Sequence, residues 1–443
     1  MSELRRYADY KDSGVPWLGD IPSHWEAKQL KHSITYNDET LSDKTDPQYE
    51  FQYVDISSVS LINGITNREK LNFDNSPSRA RRIVKKGDVI VSTVRTYLKA
   101  IAQVEEDSSD LIVSTGFAVL RPKEDLLPKY LGYWIQSDYI VNSIMARSVG
   151  VSYPAINATD LVRLPIVELP KSEQQAIANF LDDKLAHIDS LISKQQQLIE
   201  KLAEQRSAVI THAVTKGLDP DVPMKDSGVE WLGDIPEHWE SFKITHIVET
   251  IGSGTTPKSS HSNYYADEGT LWVTTSELRE SVIADTKKKL TEDALQDYST
   301  LKVFPINSVA IAMYGATIGR LGILGEEATF NQACCVYSES EKIHYKFLYY
   351  WLWYRRPILI SLSNGGGQPN LNQDDLRKLV IPIPSIKDQE EIVNYLDKET
   401  QRIDEMSKAT TDIITKLQEY RSALITQAVT GKIDVRHINK QAS

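Results

Sequence analysis

Seven cations crowd into 21 residues of the N-terminal half: Arg79, Arg81, Arg82, Lys85, Lys86, Arg95 and Lys99, with Asp88 the one acid among them. Thr93, Thr96 and Tyr97 are interleaved. Guanidinium and ammonium groups neutralise phosphates, and Arg, Ser, Thr, Asn and Gln can read base edges, so the stretch is a candidate nucleic-acid contact. A solvated charged face is the other reading of such a run. The C-terminal half offers a sparser set: Lys258, Arg279, Lys287, Lys288, Lys289, Lys302 and Arg320. Beside them stand the polar candidates Thr255, Thr256, Thr274, Thr275, Ser276, Tyr314, Thr317, Asn331 and Gln332.

No constellation for catalysis accompanies these residues. The chain has no Walker-type phosphate loop, no H-E-x-x-H, no G-x-S-x-G and no Gly-rich loop followed by a Pro-Pro-aromatic tetrapeptide. Its nine histidines are scattered, and Cys334 and Cys335 are adjacent and unable to form a framework disulfide. The run Gly365–Gly367 lacks the Lys-Ser/Thr of a phosphate cradle and reads as a turn. The expectation is a chain with no catalytic residue, no metal and no cofactor of its own. Composition points to a globular protein of two to four domains, with 41% hydrophobic and 25% charged residues. The stretch Val309–Gly325 holds Arg320 and four glycines and is not a membrane span, and the N-terminus lacks the apolar core of a signal peptide, so an intracellular, cytoplasmic chain is expected. A net charge of −11 argues against nucleic acid coating the whole surface; it permits local basic patches and suits protein partners elsewhere.

What positions the candidates is a frame written twice. Lys11–Glu26 (KDSGVPWLGDIPSHWE) returns as Lys225–Glu240 (KDSGVEWLGDIPEHWE), fourteen of sixteen positions identical at an offset of 214. The box reads as a buried Trp anchor and a turn around Gly-Asp and Ile-Pro, with no catalytic use of His24 or His238. Further on, Ser172–Lys216 returns as Lys387–Gly431 at a constant offset of 215, with Asp182, Ile188, Asp189 and Arg206 repeated as Asp397, Ile403, Asp404 and Arg421. Steps of four and three give a seam of Leu181, Leu185, Ile188, Ile192, Ile199 and Leu202 in the first copy. The second seam holds Leu396, Ile403, Ile414, Leu417 and Leu424, with Thr400, Ser407 and Thr410 in its weaker middle. A 3.5-residue apolar repeat marks a helix that needs a helical partner, and some forty residues make a rod of roughly 60 Å. An intramolecular, antiparallel coiled coil is expected; two amphipathic helices each lying on its own domain remain the alternative.

Between box and helix each half has about 140 residues of its own. Strands are predicted near Phe51–Ile56, Asp88–Thr93, Gly116–Leu120, Thr270–Thr274, Ser308–Tyr314 and Gln332–Tyr337, and helices near Lys129–Met145 and His344–Tyr354. The class is α+β. The two regions match poorly in sequence although their flanks nearly coincide: the frame was kept and the contents changed. Each closes on Gly150-x-x-x-Pro154-x-Ile156-Asn157 or Gly365-x-x-x-Pro369-x-Leu371-Asn372, with the asparagines read as helix N-caps. Proline-rich straps, Leu164–Pro170 and Val380–Ile386, then lead into the rods. The divisions are 1–170, helix 171–216, linker 217–224, 225–386, helix 387–434 and a frayed tail 435–443.

Two WLGDIP-x-HW boxes, two variable regions, two straps and two helices ending in RSA-x-IT-x-AVT strongly resemble the specificity subunit of type I restriction–modification enzymes, over nearly the whole chain. The resemblance implies two target recognition domains, each reading one half of a bipartite double-stranded DNA site. It implies a coiled coil that fixes the distance between them, pseudo-two-fold symmetry and no catalysis. It further implies recruitment of two methylation subunits, which bind S-adenosylmethionine, and through them of the ATP-using restriction subunits. On it, Arg79, Arg81, Arg82, Lys85, Lys86, Thr93, Arg95, Tyr97 and Lys99 become DNA contacts of the first domain. Lys258, Thr274, Ser276, Arg279, Tyr314, Thr317 and Arg320 become those of the second. Two other classes stay open on the residues alone: a duplicated nuclease or fused methyltransferase, and a coiled-coil scaffold whose variable domains bind proteins.

Overall fold

The computed structural model describes residues 5–107, 110–361 and 370–438. The chain divides into two units, one of residues 1–196 with 411–443, the other of residues 197–410. Two long helices, Lys171–Lys216 and Ile386–Val429, each contribute to both. No described helix is long and apolar enough to cross a membrane.

In the first unit the box folds on itself, Tyr10–Asp12 pairing antiparallel with Asp20–Pro22. Trp25 is fully buried, and its Nε1 donates to Glu173 Oε2 at 3.0 Å at the start of the first long helix. His24 meets the same carboxylate at 2.7 Å, so the box acts as the anchor its sequence suggests. Glu26–Gln29 then pairs antiparallel with Pro165–Glu168, which makes the strap one strand of a ribbon closed by the box. Two sheets follow. One is antiparallel, in the order Ile101–Gln103, Val89–Ser92, Phe117–Pro122, Ile34–Tyr36. The other runs Glu69–Asn72, Glu50–Val54, Leu111–Ser114, Ala80–Ile83, with Glu50–Val54 and Leu111–Ser114 parallel. The single helix predicted over Lys129–Met145 is two, Pro128–Gln136 and Asp138–Arg147. Ser137 breaks it by adopting an extended ψ of 146° while its Oγ donates to the Trp134 carbonyl at 2.6 Å.

The second unit repeats this plan. Met224–Asp226 pairs with Asp234–Pro236, Trp239 is buried, and Glu240–Lys243 pairs with the strap strand Val380–Ile383. Its antiparallel core orders Leu321–Leu324, Val309–Ala312, Cys334–Tyr337, Ile251–Gly252, strand for strand the order of the first unit, with Val282–Ile283 added at the edge. Thr270–Val273 and Ala328–Phe330 are again parallel neighbours. The contents thus diverged in sequence and kept the order of the antiparallel core, while the second sheets differ at their edges. Among the described residues, Ala80–Ile83 has only the single bridge Phe304 to Ala328 as its counterpart, and Tyr265–Ala266 is added beside Lys289–Leu290. The helix predicted over His344–Tyr354 runs Tyr345–Ser361. At the closing motifs, Asn372 accepts from the Asp374 N–H at 2.9 Å as an N-cap should. Asn157 holds the N-cap position with no side-chain bond, a departure from the expectation.

Within each unit the two helices pack as neighbours. In the first, Leu181, Leu185, Ile188 and Ile192 share a core with Leu417, Leu424, Ile425 and Ala428, and Arg421 Nε donates to Asp189 Oδ1 at 3.0 Å. In the second, Ile210, Ala213 and Val214 share a core with Ile392, Val393 and Leu396, and Arg206 pairs with Asp404 at 3.3 Å. Within the first unit, Arg436 just beyond the second helix pairs with Glu173 at 3.7 Å, so as the first helix runs on from Glu173 to Asp189 the partner residue steps back from Arg436 to Arg421, the signature of antiparallel pairing. Leu202 and Ile403 are buried, and Ile199 and Ile414 half-buried. The polar seam positions are not flaws: Thr400 and Thr410 are buried with their hydroxyls returned to the Leu396 and Met406 carbonyls at 2.6 and 2.8 Å. Helices lying only on their own domains are excluded by these contacts.

The second helix ends at Val429, short of the predicted 434, because Gly431 turns at φ +71° with its Cα against Pro22 and Trp25, where a Cβ would lie 2.4–2.8 Å from them. The tail is packed rather than frayed as far as Ile438: Val435 is buried, and Arg436 pairs with Asp434 at 2.7 Å. Residues 439–443 and the run Gly365–Gly367 lie outside the described residues.

Candidate nucleic-acid interface

The basic run does not form one patch. Strand Ala80–Ile83 separates its members, since Ala80 lies opposite Ser114 and Ile83 opposite Ile112. Arg81 lies along this strand over the Phe73 ring at 4.6 Å, and Arg82 is half-buried with its Nε unpartnered, where burial lowers its pKa. Lys85 is beyond the strand's far end and pairs with Glu39, while Lys86 is exposed there. The run's only acid, Asp88, neutralises none of the run's side chains. It is buried and grips Arg121 through two bonds of 2.9 and 2.8 Å, which hold the guanidinium pKa up.

Arg79 is at the other end, where the parallel strands finish. Its Nε donates to Tyr53 Oη at 3.2 Å and its Nη2 to Asp55, and both bonds raise its pKa. The Arg79 carbonyl takes the Thr115 N–H at 2.8 Å, and the next residue's carbonyl, that of Gly116, takes both the N–H and the hydroxyl of Thr93 at 2.8 and 2.9 Å. The chain then turns through Arg95 and Lys99, both left-handed at φ 51° and 50°, around the short helix Thr96–Leu98. Arg95 stacks on Tyr153 at 5.0 Å, and Tyr97 is exposed. Arg79, Thr93, Arg95, Tyr97 and Lys99 are therefore brought to one edge, which Arg81, Arg82, Lys85 and Lys86 do not share.

The second unit builds the same edge from different residues. After Thr270–Val273, Thr274 caps itself on Glu277 at 2.8 Å and meets Ser276 at 2.8 Å, whose carbonyl accepts from Arg279 at 3.1 Å. After Ala328–Phe330, Asn331 accepts from the Ala333 N–H at 3.1 Å, and Gln332 accepts from Thr256 at 2.5 Å. The hairpin after Val309–Ala312 carries Tyr314, the short helix Gly315–Thr317 and Arg320, and is the counterpart of the Thr93–Lys99 loop. Lys258 lies in the loop after Ile251–Gly252, and its backbone N–H donates to Tyr298 Oη at 3.2 Å. Lys99, Lys258, Arg279 and Arg320 have no carboxylate within ion-pair distance among the described residues.

A further constellation escaped the sequence reading although it carried a signal. Lys129-Tyr-Leu-Gly-Tyr133-Trp recurs as Lys346-Phe-Leu-Tyr-Tyr350-Trp, a third repeat inside the otherwise divergent regions. Tyr133 Oη donates to Asp182 at 2.6 Å, and Lys129 pairs with the same carboxylate. Tyr350 donates to Asp397 at 2.8 Å, and Lys346 pairs with it. Burial is the main cause that raises both tyrosine pKa values. Each cluster lines a cleft with the repeated arginine: about 290 Å³ with Arg421 in the first unit and about 570 Å³ with Arg206 in the second. The buried amides of Gln174 and Gln389 are likewise matched, each donating to two backbone carbonyls and accepting one N–H, that of Leu127 or His344, at 2.8 Å.

The comparisons agree with this duplication. The model of the type I restriction modification DNA specificity domain matches residues 22–201 and again 236–416. The type I restriction enzyme MjaVIII specificity subunit of Methanocaldococcus jannaschii is 23% identical over 95% of this chain and 95% of its own length. The EcoBI specificity subunit of Escherichia coli is 24% identical over 74% of this chain and 70% of its own. A solved structure from a study of complex assembly in a type I restriction–modification system superposes with a TM-score of 0.74 at 22% identity, covering 92% of this chain and 98% of that one.

Proposed function

Since the chain belongs to the type I restriction modification DNA specificity family, we propose that it is the sequence-reading subunit of a type I restriction–modification complex. Each unit's reader contacts one half of a bipartite double-stranded DNA site, and the paired helices set the spacer. The observation that carries this is the double match of the family domain to two readers that share the order of their antiparallel core and differ in their edge residues. Arg79, Thr93, Arg95, Tyr97 and Lys99 face the first half-site, and Thr274, Ser276, Arg279, Tyr314, Thr317 and Arg320 the second. The chain has no catalysis of its own. S-adenosylmethionine and ATP act on partners: two methylation subunits, and restriction subunits joined through them, in the cytoplasm. Two docking events fit a frame repeated residue by residue. Exposed apolar side chains on the helical segments, Leu191, Ile413 and Tyr420 in the first unit and Leu198 and Met406 in the second, give such partners surface to cover.

The test is exchange of residues 242–379 for the same region of a relative, followed by methylation-motif sequencing of a host carrying the complete system. One half-site should change and the other stay. A change in both would refute independent readers. Methyl transfer by the purified chain with S-adenosylmethionine alone would refute the non-catalytic assignment.

A further inference from the structure

We propose that Val149, Val151 and Tyr153 form a preorganised apolar tip that enters the groove of the first half-site and packs against thymine C5-methyl groups. The inference rests on the DNA-reading role above and names a chemistry that the polar candidates do not supply. Val151 is fully exposed, Val149 is 80% exposed and Tyr153 is 65% exposed, an unusual concentration of apolar surface for one short loop.

The loop is not loose. Val149 and Val94 both bridge to Ala155. Thr96 Oγ1 meets Ser148 Oγ at 2.7 Å, the Ile156 N–H donates to the Thr93 carbonyl at 2.9 Å, and the Arg95 guanidinium covers the Tyr153 ring. The tip is therefore held against the same loop that carries Thr93, Arg95 and Lys99.

Charge selects the occupant. Residues 89–104 and 139–159 contain Arg95, Lys99 and Arg147 and not one acid, in a chain of net charge −11. A polyanion is attracted to this face. Valine offers no hydrogen bond, so within DNA its complement is the one apolar group on a base edge, the thymine methyl of the major groove. The sequence adds a separate argument. The frame Gly150…Pro154 returns as Gly365…Pro369, yet Val151, Ser152 and Tyr153 become Gly366, Gly367 and Gln368. A fixed frame with changed contents is what two readers of different half-sites require.

The experiment uses this chain assembled with its methylation subunits and a duplex of its site. Thymines of the first half-site are replaced one at a time by uracil, which removes only the methyl. Binding should weaken about fourfold at one or more positions. Val151→Ser, whose side chain is in solvent and cannot disturb folding, should bind thymine and uracil duplexes equally. Equal wild-type affinity for thymine and uracil at every position overturns the proposal, as does a uracil penalty that persists undiminished in both Val151→Ser and Val149→Ser. Salt dependence measured with Arg95→Ala separates this from the DNA reading itself. A reduced slope with harmless uracil leaves the reader standing without its tip. An unchanged slope with harmless uracil takes Arg95 and the tip out of the interface, and equal affinity of the complex for its site and an unrelated duplex removes the DNA reading itself.

Discussion

Arg95 and Lys85 belong to one basic run, and their surroundings give them different work. Arg95 is exposed, left-handed at φ 51° and free of carboxylates among the described residues, with its guanidinium on Tyr153. Lys85 is tied to Glu39, whose pKa that bond and Arg121 together lower. Arg95→Ala should lower the slope of log affinity against log salt by about one unit, and Lys85→Ala should leave it unchanged. A slope unchanged from wild type in Arg95→Ala, or one lowered as much in Lys85→Ala, in a titration of the assembled complex would overturn this division of work. Asp88 and Arg121 make the opposite kind of pair. With Asp88 at 1% exposure, Arg121→Met leaves a buried carboxylate uncompensated and should cost about 3–5 kcal/mol in denaturant unfolding. A cost under about 1 kcal/mol would mean that water reaches the carboxylate once the guanidinium is gone. Nothing in the sequence distinguished these cases, because every partner except Asp88 lies outside the run.

At the scale of elements, the clasp of Lys129 and Tyr133 on Asp182 joins reader helix to long helix in the first unit, and Lys346, Tyr350 and Asp397 do so in the second. Asp182→Ala leaves the Tyr133 hydroxyl without its acceptor and should cost about 1–3 kcal/mol, and Asp397→Ala should cost less because the Tyr350 hydroxyl also meets Thr400 Oγ1 at 3.2 Å. Tyr133→Phe combined with Asp182→Ala should then cost less than the sum of the two, a coupling measured by a double-mutant cycle. Additive losses would mean that the residues are merely neighbours. The long helices, straps and boxes were legible in the sequence because they recur at offsets of 214 and 215. The shared sheet order was not, since strands of two to six residues keep their pairing while their side chains change. The clasp was half-legible: its carboxylates sat in the repeated helix, and its Lys-x-x-x-Tyr-Trp partner was hidden in regions read as unrelated. The break at Ser137 was invisible because an apolar period runs on through Trp134, Ile135, Ile140 and Val141.

At the scale of the whole molecule, the helices proposed as the ruler make a quantitative demand. The test is four residues inserted in each, after Gln196 and after Thr410, where the units divide. Four residues lengthen an α-helix by roughly 6 Å and rotate it by about 40° beyond a full turn. A heptad seam absorbs a four-residue insertion by local unwinding rather than by breaking. DNA rises about 3.4 Å per base pair, and at 10–10.5 base pairs per turn it twists by roughly 35° for each. Length alone would permit one or two extra base pairs, and rotation favours one. Sequencing the methylation motif of the insertion variant should therefore return both half-sites unaltered with the spacer lengthened by one base pair, two at most. The natural spacer at full methylation would show that something other than the helices sets the distance. An altered half-site would show that the insertion had reached a reader, which the clasps at Asp182 and Asp397, each at least thirteen residues from the insertion point, should prevent.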